Sequence, residues 1–358
     1  MQIKADGQTY APRGMVSPVC EPGTFKIGVI GLDHGHIYGM CNGLVEAGAE
    51  IACVYDNERM KMDAFCKVFP DAKKAESEHE ILENPDIALV ASAILPDRRT
   101  ELGIRVMKAG KDYFCDKPPC ITKQDVSQAR RAVEETQKKF AVYYSERLHV
   151  EASVCAEKLI KDGAIGRVIH VAGWGPHRIS IPQRPSWFFD KARYGGILVD
   201  IGCHQIEQLL FFCGASDAVI SSSRAGNYKY KQYPRFEDFG DAALLMNNGT
   251  TGYFSVNWFT PDGLGAWGDG RTFIQGTEGY IELRKYIDVA ADPEGDHVIL
   301  VNNKGEQHIH AAGTCGFPFF GRLIKDCLER TSTAYDQELT FRAIELAIEA
   351  ETQATAVQ

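Results

Sequence analysis

The spacing of apolar residues changes several times between residues 27 and 144. Short apolar runs typical of buried strands alternate with stretches in which apolar residues have helical spacing. Because such alternation favours a parallel sheet covered by helices on both faces, the region predicts a doubly wound α/β domain. The predicted strands are residues 27–30, 50–56, 86–94, 112–115 and 140–144, and the predicted helices cover 37–45, a segment from 58, a segment ending at 109, and 123–138.

The pattern changes after residue 145. A predicted helix at 151–162 ends at Gly163, and beyond it segments of period two are separated by turn signals. The stretch NNGT, residues 247–250, lies between two such segments and predicts a β-hairpin. Two amphipathic helices, at 317–329 and 339–354, close the chain. We therefore predict an α+β domain with a large, mostly antiparallel open sheet.

These patterns predict three parts of the chain. Residues 1–24 are rich in glycine and proline without periodicity and are treated as an N-terminal extension. Residues 25–144 form the doubly wound domain, and residues 145–358 form a domain for substrate binding and oligomerisation.

Composition narrows the class of partner. The formal net charge is −9 without a block of Lys or Arg, which argues against nucleic-acid or anionic-membrane binding. The sequence shows neither an apolar stretch of the roughly 20 residues that span a bilayer nor the apolar core of a signal peptide near residue 1. The eleven cysteines are scattered without a C-x-x-C pair. They predict reduced core residues in a cytoplasmic protein rather than disulfides or a zinc site.

The stretch GLDHGH, residues 31–36, follows a predicted strand and opens a helix. This is the position of a dinucleotide loop, in which the helix N-terminus binds a pyrophosphate. At two positions where the glycine pattern of such loops has glycine, this chain has Asp33 and His36. Gly35 relieves the crowding one position before the expected glycine. The Asp33 carboxylate is expected to point away from a bound pyrophosphate and to cap the helix N-terminus. The alternative is a plain strand–turn–helix. The candidate cofactor-binding residues are Gly31, Leu32, Asp33, His34, Gly35, His36, Asp56 and Lys117.

Asp56 ends the next predicted strand, where a carboxylate accepts hydrogen bonds from an adenosine ribose. A 2′-phosphate would be repelled there, so the sequence favours NAD over NADP. His34 and His36 are candidates to contact phosphate. They are also a possible metal pair, but the sequence gives no carboxylate or cysteine cluster to complete a first shell, and we predict no metal site. His308 and His310 alternate on a predicted strand and are expected to face solvent.

Two further stretches carry candidate chemistry. CDKPP, residues 115–119, places Lys117 at the carboxyl end of a predicted parallel strand, where α/β ligand sites form. In YGGILVDIGCHQ, residues 194–205, Asp200 and His204 are four apart and share one face of a helix. The alternatives are a solvated surface lysine and a structural histidine at a helix start.

Together these motifs resemble the Gfo/Idh/MocA oxidoreductases, the glucose–fructose oxidoreductase and inositol dehydrogenase family. The resemblance covers almost the whole chain from Phe25 and includes GVIG, AGKDYFCDKPP and LIKDGAIGRV. Departures are Asp116 for the usual Glu, Thr100 for a frequent His, and the altered glycine loop. The family implies a Rossmann domain followed by an open-sheet domain, with NAD or NADP acting on sugars and polyols. The most specific match is G-G-x-L-x-D-x-G-x-H, at Gly195, Gly196, Leu198, Asp200, Gly202 and His204.

The resemblance implies a catalytic triad of Lys117, Asp200 and His204. When a secondary alcohol gives up a hydride, its hydroxyl proton must leave too, and a neutral His204 would accept it. Lys117 would stabilise the developing alkoxide, and Asp200 would orient the imidazole or bind a neighbouring hydroxyl. Glu207, one turn after His204, is a candidate to orient the ring, but the favoured interpretation is a solvated helix carboxylate.

Substrate recognition is predicted in the irregular stretch 175–196. His177, Arg178 and Trp187 are candidate substrate ligands there, with Arg184 as a further lining residue. Arg147 matches a family arginine near the domain junction. The alternative for each is an ordinary packing or surface role.

We therefore predict an NAD-dependent dehydrogenase or reductase for a sugar, polyol or derivative. Two rivals stay open: a glycoside-cleaving enzyme in which NAD oxidises the sugar transiently, and a sugar-sensing regulator without turnover. The family resemblance also implies a homodimer or homotetramer formed through the second-domain sheet.

Overall fold

The apolar runs predicted as strands near the N-terminus pair with one another in one parallel sheet. The computed structural model describes residues 6–358, which divide into two units. The first unit contains residues 8–143 and 317–341, and the second contains residues 6–7, 144–316 and 342–358. The first five residues of the predicted extension lie outside the described residues.

The sheet of the first unit has six parallel strands in the order β3-β2-β1-β4-β5-β6, and helices connect them. The order reverses between β1 and β4, which creates a switch point at the carboxyl edge of the sheet. The doubly wound α/β prediction is confirmed. The strands are β1 (Lys26–Ile30), β2 (Glu50–Tyr55), β3 (Lys73–Lys74), β4 (Ile87–Ser92), β5 (Asp112–Asp116) and β6 (Phe140–Tyr143). The helices are α1 (His36–Glu46), α2 (Arg59–Val68), α3 (Glu78–Glu83), α4 (Arg99–Lys108) and α5 (Lys123–Thr136).

Local chemistry explains where these elements begin. Thr122 caps α5 by accepting a hydrogen bond from Asp125 N at 3.1 Å, and the Asp125 carboxylate accepts one from Thr122 N at 3.0 Å. This capping box fixes the helix start that the sequence predicts at Lys123. Strand β3 was not predicted, because its two lysines are exposed and carry no apolar signal.

The second unit is built on a nine-stranded sheet in the order β14-β13-β12-β11-β7-β10-β9-β8-β15. Neighbouring strands in this sheet are antiparallel, except that β10 pairs parallel with β7 and β15 pairs parallel with β8. The prediction of a mostly antiparallel sheet is therefore confirmed. Its helices are α6 (Ser145–Leu148), α7 (Glu151–Lys161), α8 (Lys191–Tyr194), α9 (Ile197–Asp200) and α10 (Gly202–Cys213). Its strands are β7 (Val168–Pro176), β8 (Ala218–Gly226), β9 (Phe239–Met246), β10 (Thr251–Asn257), β11 (Arg271–Gly276), β12 (Gly279–Arg284), β13 (His297–Asn302), β14 (Gly305–His310) and β15 (Thr355–Val357).

The predicted hairpin joins β9 to β10 through the turn at residues 247–250, where Gly249 has a φ of +83°. Helix α10 packs against β7 and β10 on one face of the sheet, and α7 packs against β12 and β13. The run from Lys191 to Cys213 has the length and apolar composition of a membrane span, but 89% of its most apolar window is buried within the protein. The run comprises α8, α9 and α10, which contribute to the core of this unit.

The chain ends with α11 (Pro318–Glu329) and α12 (Gln337–Thr352) before β15, close to the two predicted helices. Residues 317–341 belong to the first unit, whereas the sequence-based boundary placed them in the second domain. Gln337 explains this placement: its side chain bonds both backbone groups of Phe140, at 3.0 and 2.9 Å. Residues 8–24 also belong to the first unit and lie along α1, where Ser17 N donates to Glu46 O at 3.0 Å.

The contact between α1 and α11 gives a stability prediction. A Cβ at Gly43 would lie 2.3 Å from ring carbons of Phe320, which is buried. We expect Gly43→Ala to lower the free energy of unfolding, because over-packing costs about 1–3 kcal/mol and outweighs the roughly 1 kcal/mol helix-propensity gain of alanine. Urea unfolding measures this. Val45→Ala, at an exposed site on the same helix, should change stability little, and equal losses in both variants would contradict the packing explanation.

Candidate functional site

The loop after β1 is a tight turn made possible by Gly31. Its N donates to Tyr55 O at 2.9 Å, and its carbonyl accepts from Ala93 N at 3.1 Å. The φ of Gly31 is +82°, and a Cβ there would lie 2.7 Å from the Cβ of Ile94. Glycine is therefore required where the first loop passes over the sheet edge.

Asp56 ties this loop to the start of the next helix. Its Oδ2 accepts from Leu32 N at 2.7 Å, and its Oδ1 accepts from Glu58 N at 2.8 Å. The residue is only 7% exposed. The carboxylate is thus fixed at the carboxyl end of β2, the position at which the sequence predicts contact with a ribose.

The predicted N-cap role of Asp33 is wrong. The N-cap of α1 is Gly35, and Asp33 instead accepts from Lys61 Nζ at 2.6 Å and from Leu95 N at 3.2 Å. Partial burial lowers the pKa of Lys61, but hydrogen bonds to Asp33 and Glu58 outweigh it, so that pKa lies above its usual value. Lys61 therefore neutralises the Asp33 carboxylate within this loop.

Gly35 is needed at the start of α1 for a different reason. A Cβ there would lie 2.3 Å from the carbonyl oxygen of Gln8, which belongs to the same unit. The N-terminal segment therefore lies directly against the dinucleotide-type loop, an arrangement without a signal in the sequence.

His34 and His36 meet a buried carboxylate that the sequence analysis did not find. His36 Nδ1 lies 2.8 Å from Asp116 Oδ1, and His34 Nδ1 lies 3.0 Å from Asp116 Oδ2 without the alignment of a hydrogen bond. The expectation that no carboxylate joins this pair is therefore wrong. Arg99 Nη2 also donates to Asp116 Oδ2 at 2.8 Å, and both groups are buried. Because a guanidinium already neutralises the carboxylate, this cluster is a poor cation site.

Asp116 also positions Lys117. Lys117 N donates to Asp116 Oδ1 at 2.8 Å, and Arg99 Nη1 donates to Pro118 O at 3.0 Å. Thr100 Oγ1 donates to Pro119 O at 3.2 Å. Lys117 is 6% exposed, so it is not the solvated surface lysine of the alternative interpretation. The residues that support the turn, Arg99 and Thr100, lie in α4 and were not predicted as partners of CDKPP.

His34 predicts a pH dependence of stability. Burial and the neighbouring His36 lower the pKa of His34 to about 3, below its ordinary value of roughly 6.5. Unfolded chains therefore bind a proton at this residue between those values while the native state does not, and native stability falls as the pH drops below 6.5. Since the side chain is 15% exposed, we take the loss between pH 7 and 5 as at most about 2 kcal/mol.

The measurement is urea unfolding at pH 7 and pH 5. His34→Gln should flatten the pH dependence, because it removes the titrating ring and keeps a polar side chain. His79→Gln, at an exposed histidine of the same unit, should not. Identical pH slopes in wild type and His34→Gln would refute the assignment.

In the second unit, the Gly195–Gly196 pair allows a close backbone approach. The φ values are +90° and +100°, and a Cβ at Gly196 would lie 2.3 Å from the carboxylate carbon of Glu351. Glu351 Oε2 accepts from Leu198 N at 3.0 Å, which anchors α9 to α12. The glycines thus bring the start of the Asp200–His204 segment against a buried carboxylate.

His204 lies in the first turn of α10 and is 1% exposed. Its ring centroid is 6.1 Å from that of Tyr144. Asp200 ends α9, is half-buried, and interacts electrostatically with Arg184. Burial lowers the pKa of Arg184, while Asp6 at 3.6 Å and Asp200 oppose that shift. Asp6, in the extension, was not predicted to reach this cluster.

Among the predicted substrate ligands, Arg147 and Arg178 have protein partners. Arg147 Nε donates to both carboxylate oxygens of Glu207, at 2.8 and 2.9 Å, and its guanidinium lies 3.8 Å from the Phe211 ring centroid. The prediction that Glu207 is solvated is wrong, since it is 4% exposed. Arg178 Nη2 donates to the carbonyls of Pro261 and Leu264 at 3.1 and 2.8 Å, and so holds that loop.

His177 and Trp187 lie among aromatic side chains. His177 is 6% exposed, with its ring centroid 4.7 Å from that of Trp267 and 5.4 Å from that of Trp258. Trp187 is half-buried beside Phe188. Direct contact of any of these four candidates with a substrate stays a prediction.

A buried polar network next to His204 was missed entirely. Gln205 Nε2 donates to Glu146 Oε2 at 2.7 Å, and Lys285 Nζ donates to Gln208 Oε1 and lies 3.7 Å from Glu146 Oε2. All four side chains are buried. Burial lowers the pKa of Lys285, and Glu146 and Glu207 oppose the shift. A sequence gives no signal for this network because its members come from three distant segments.

Comparison with known proteins agrees with this architecture. Residues 25–144 match the model of the oxidoreductase family with an NAD-binding Rossmann fold, and residues 154–282 match the GFO/IDH/MocA C-terminal domain. A crystal structure from Erwinia carotovora atroseptica, described provisionally as an oxidoreductase, is 47% identical with a TM-score of 0.90, covering 93% of this chain and 100% of its own.

Two relatives from Bacillus subtilis are inositol enzymes. The NAD-dependent scyllo-inositol 2-dehydrogenase is 25% identical over 263 residues, 72% of this chain and 71% of its own. The NADP-dependent scyllo-inositol 2-dehydrogenase is 24% identical over 234 residues, 63% of each chain. With both of its domains matched, this chain belongs to the Gfo/Idh/MocA family of NAD-binding oxidoreductases.

Proposed function

We propose that this protein is a dehydrogenase that transfers a hydride between NAD and a secondary alcohol or ketone of a sugar, polyol or derivative. The observation that carries the proposal is Lys117. It is buried at the carboxyl end of β5, in a turn whose backbone is held by Asp116 and Arg99. A lysine so ordered supplies a positive charge at the sheet edge where ligands of parallel α/β folds bind.

The first loop fits a dinucleotide. Gly31 makes the turn, Asp33 is neutralised by Lys61, and α1 begins directly after Gly35. These features support a bound pyrophosphate at the start of α1, with Asp56 toward the ribose. NAD, when bound, supplies the hydride acceptor or donor for the reaction.

The protein's own residues handle the proton and the charge. Lys117 donates a hydrogen bond to the substrate oxygen and stabilises negative charge that develops on it. His204 accepts the hydroxyl proton as general base in oxidation and returns it in reduction. Asp200 binds a neighbouring hydroxyl or orients the imidazole. His177, Arg178, Trp187 and Arg147 complete the substrate contacts of this proposal.

A substrate panel tests the function. The full-length protein is incubated with NAD and a set of cyclic polyols and aldoses, and NADH formation is followed by absorbance, with cofactor binding measured separately by native mass spectrometry. We expect turnover of at least one compound. NAD binding without turnover of any compound, together with unchanged biological activity of Lys117→Ala and His204→Ala, would identify a regulator instead. Glycoside cleavage without net NADH would identify the oxidation–elimination enzyme.

The preference for NAD rests on Asp56. We expect Asp56→Ser to shift the ratio of NAD to NADP dissociation constants toward NADP by about tenfold, since about 1.4 kcal/mol of repulsion of a 2′-phosphate is removed. Titration of both cofactors measures the ratio. Asp63→Ser, at an exposed aspartate of α2, is the matched control and should leave it unchanged. A wild-type protein that binds NADP more tightly than NAD would overturn the preference.

The second-unit sheet supports a homodimer or homotetramer. Trp174, Val219 and Leu245 are 43%, 67% and 50% exposed, and their strand register places them on the face opposite α10. We propose this face of the sheet as the surface of subunit contact. Light scattering at micromolar concentration tests this, and a monomer would contradict it. The net charge of −9 and the eleven free cysteines support a cytoplasmic protein without nucleic-acid or membrane partners.

A further inference from the structure

Three polar side chains converge at the outer edge of the second-unit sheet, in the edge hairpin and the loop before it. His297 begins β13, His310 ends β14, and the two residues are paired directly in register. Asp292 lies in the loop before β13. One ligand atom from each of the three lies within 4.8 Å of the others. This cluster is part of the second unit and contains none of the proposed catalytic or cofactor residues.

His297 is the central member of the cluster. It is 2% exposed, and its Nε2 has no hydrogen-bond partner among the described residues, although Asp292 Oδ2 lies 3.6 Å away. Burying an imidazole nitrogen without a partner costs free energy. An atom so placed, facing a carboxylate oxygen and a second imidazole, is suited to ligate a cation.

The neighbours of the cluster fix the ligand atoms. His297 Nδ1 lies 2.9 Å from His308 Nε2. If His297 donates this bond, its Nε2 carries the lone pair that a metal requires, which is the second-shell arrangement of metal-binding histidines. Asp292 Oδ1 accepts from Glu294 N at 2.9 Å, which leaves Oδ2 toward His297. The prediction that His308 and His310 face solvent holds for their exposure, but both rings also contact the buried His297. The His310 ring stacks on it, and the His308 ring lies tilted against it with a centroid distance of 5.0 Å.

We propose that Asp292, His297 and His310 bind a divalent transition-metal ion such as Zn²⁺. Two imidazole nitrogens and one carboxylate oxygen suit such an ion and leave positions for water. The surrounding charge is favourable, because Glu294 lies 3.6 Å from His310 Nε2. A positive charge near the site is that of Arg284, which pairs with His297 in register. Its charge is balanced by hydrogen bonds to Glu282 and Asp288. The proposed ion would pin the loop to the edge hairpin.

Metal titration of the full-length protein tests the site. The protein is first stripped with a chelator, and Zn²⁺ binding is then measured by competition with a chromophoric indicator, with Co²⁺ absorption as a probe of imidazole ligation. We expect one equivalent bound by the wild type. His310→Ala and Asp292→Asn change half-buried or exposed side chains, so both should fold, and each should weaken binding by at least about tenfold.

His79→Ala, an exposed histidine beside Glu83, is the matched control and should bind as the wild type does. His308→Ala should bind more weakly than wild type, because the partner that orients His297 is lost. Circular dichroism verifies the fold of each variant. The proposal is overturned if the wild type binds no metal, or if binding is unchanged in both His310→Ala and Asp292→Asn, as would occur with ligation by His34, His36 and Asp116.

Discussion

Replacing Lys117 with methionine is expected to lower kcat/KM of the proposed dehydrogenase by about a hundred- to a thousandfold. Methionine keeps most of the length of the side chain and removes the ammonium that, in our proposal, hydrogen-bonds the substrate oxygen. The loss of one preorganised hydrogen-bond donor typically lowers the rate by about this factor. Because Asp116 binds the backbone N of Lys117, the turn itself should survive the substitution. Steady-state kinetics with the compound found in the panel gives the ratio.

Two controls define what this result means. Lys123→Met, at an exposed lysine six positions further on, should leave kcat/KM unchanged. Native mass spectrometry should show that Lys117→Met still binds NAD. If Lys117→Met retains wild-type kcat/KM, the ammonium does not act on the substrate and the proposed function loses its main support.

Removing the charge of Asp116 should have the largest effect on stability. We expect Asp116→Asn to lower the free energy of unfolding of the first unit by about 3–5 kcal/mol, because it leaves the guanidinium of Arg99, 1% exposed, without a counter-charge. Burial raises the pKa of Asp116, but Arg99, His36 and His34 outweigh it, so that pKa lies well below its usual value. The carboxylate is therefore charged at neutral pH.

Urea unfolding at pH 7 measures the loss. Asp112→Asn is the matched control on the same strand. Asp112 is also buried, but the side chain of its partner Arg330 is 43% exposed and can be solvated when the charge is removed. We expect a clearly smaller loss there. Similar losses in both variants would show that the Arg99 pair is not the cause, and Asp116→Glu, the residue usual in the family, should restore part of the stability.

The order and type of the main elements could be read from the sequence because they depend on local properties. Apolar runs bounded by polar residues gave β1, β2, β4, β5 and β6 within a few residues, and the Asn248–Gly249 turn gave the β9–β10 hairpin. The start of α5 at Lys123 was also predicted, and in the structure the Thr122–Asp125 capping box explains it. The two-lysine strand β3 and the packing of residues 317–341 on the first unit had no such signal, since pairing and packing depend on distant partners.

The sequence by itself determined the fold class and the glycine on which the first loop turns. Through its motifs it also indicated the candidate residues Lys117, Asp200 and His204. Only the tertiary structure decided which charges meet in buried space. Lys61 neutralises Asp33, and the Asp116 carboxylate contacts both Arg99 and the two histidines His34 and His36. Helical and strand periodicity reports which face of an element is buried. The state of a buried charge depends on desolvation and on counter-charges from segments far away in the chain, and that information exists only once the chain is folded.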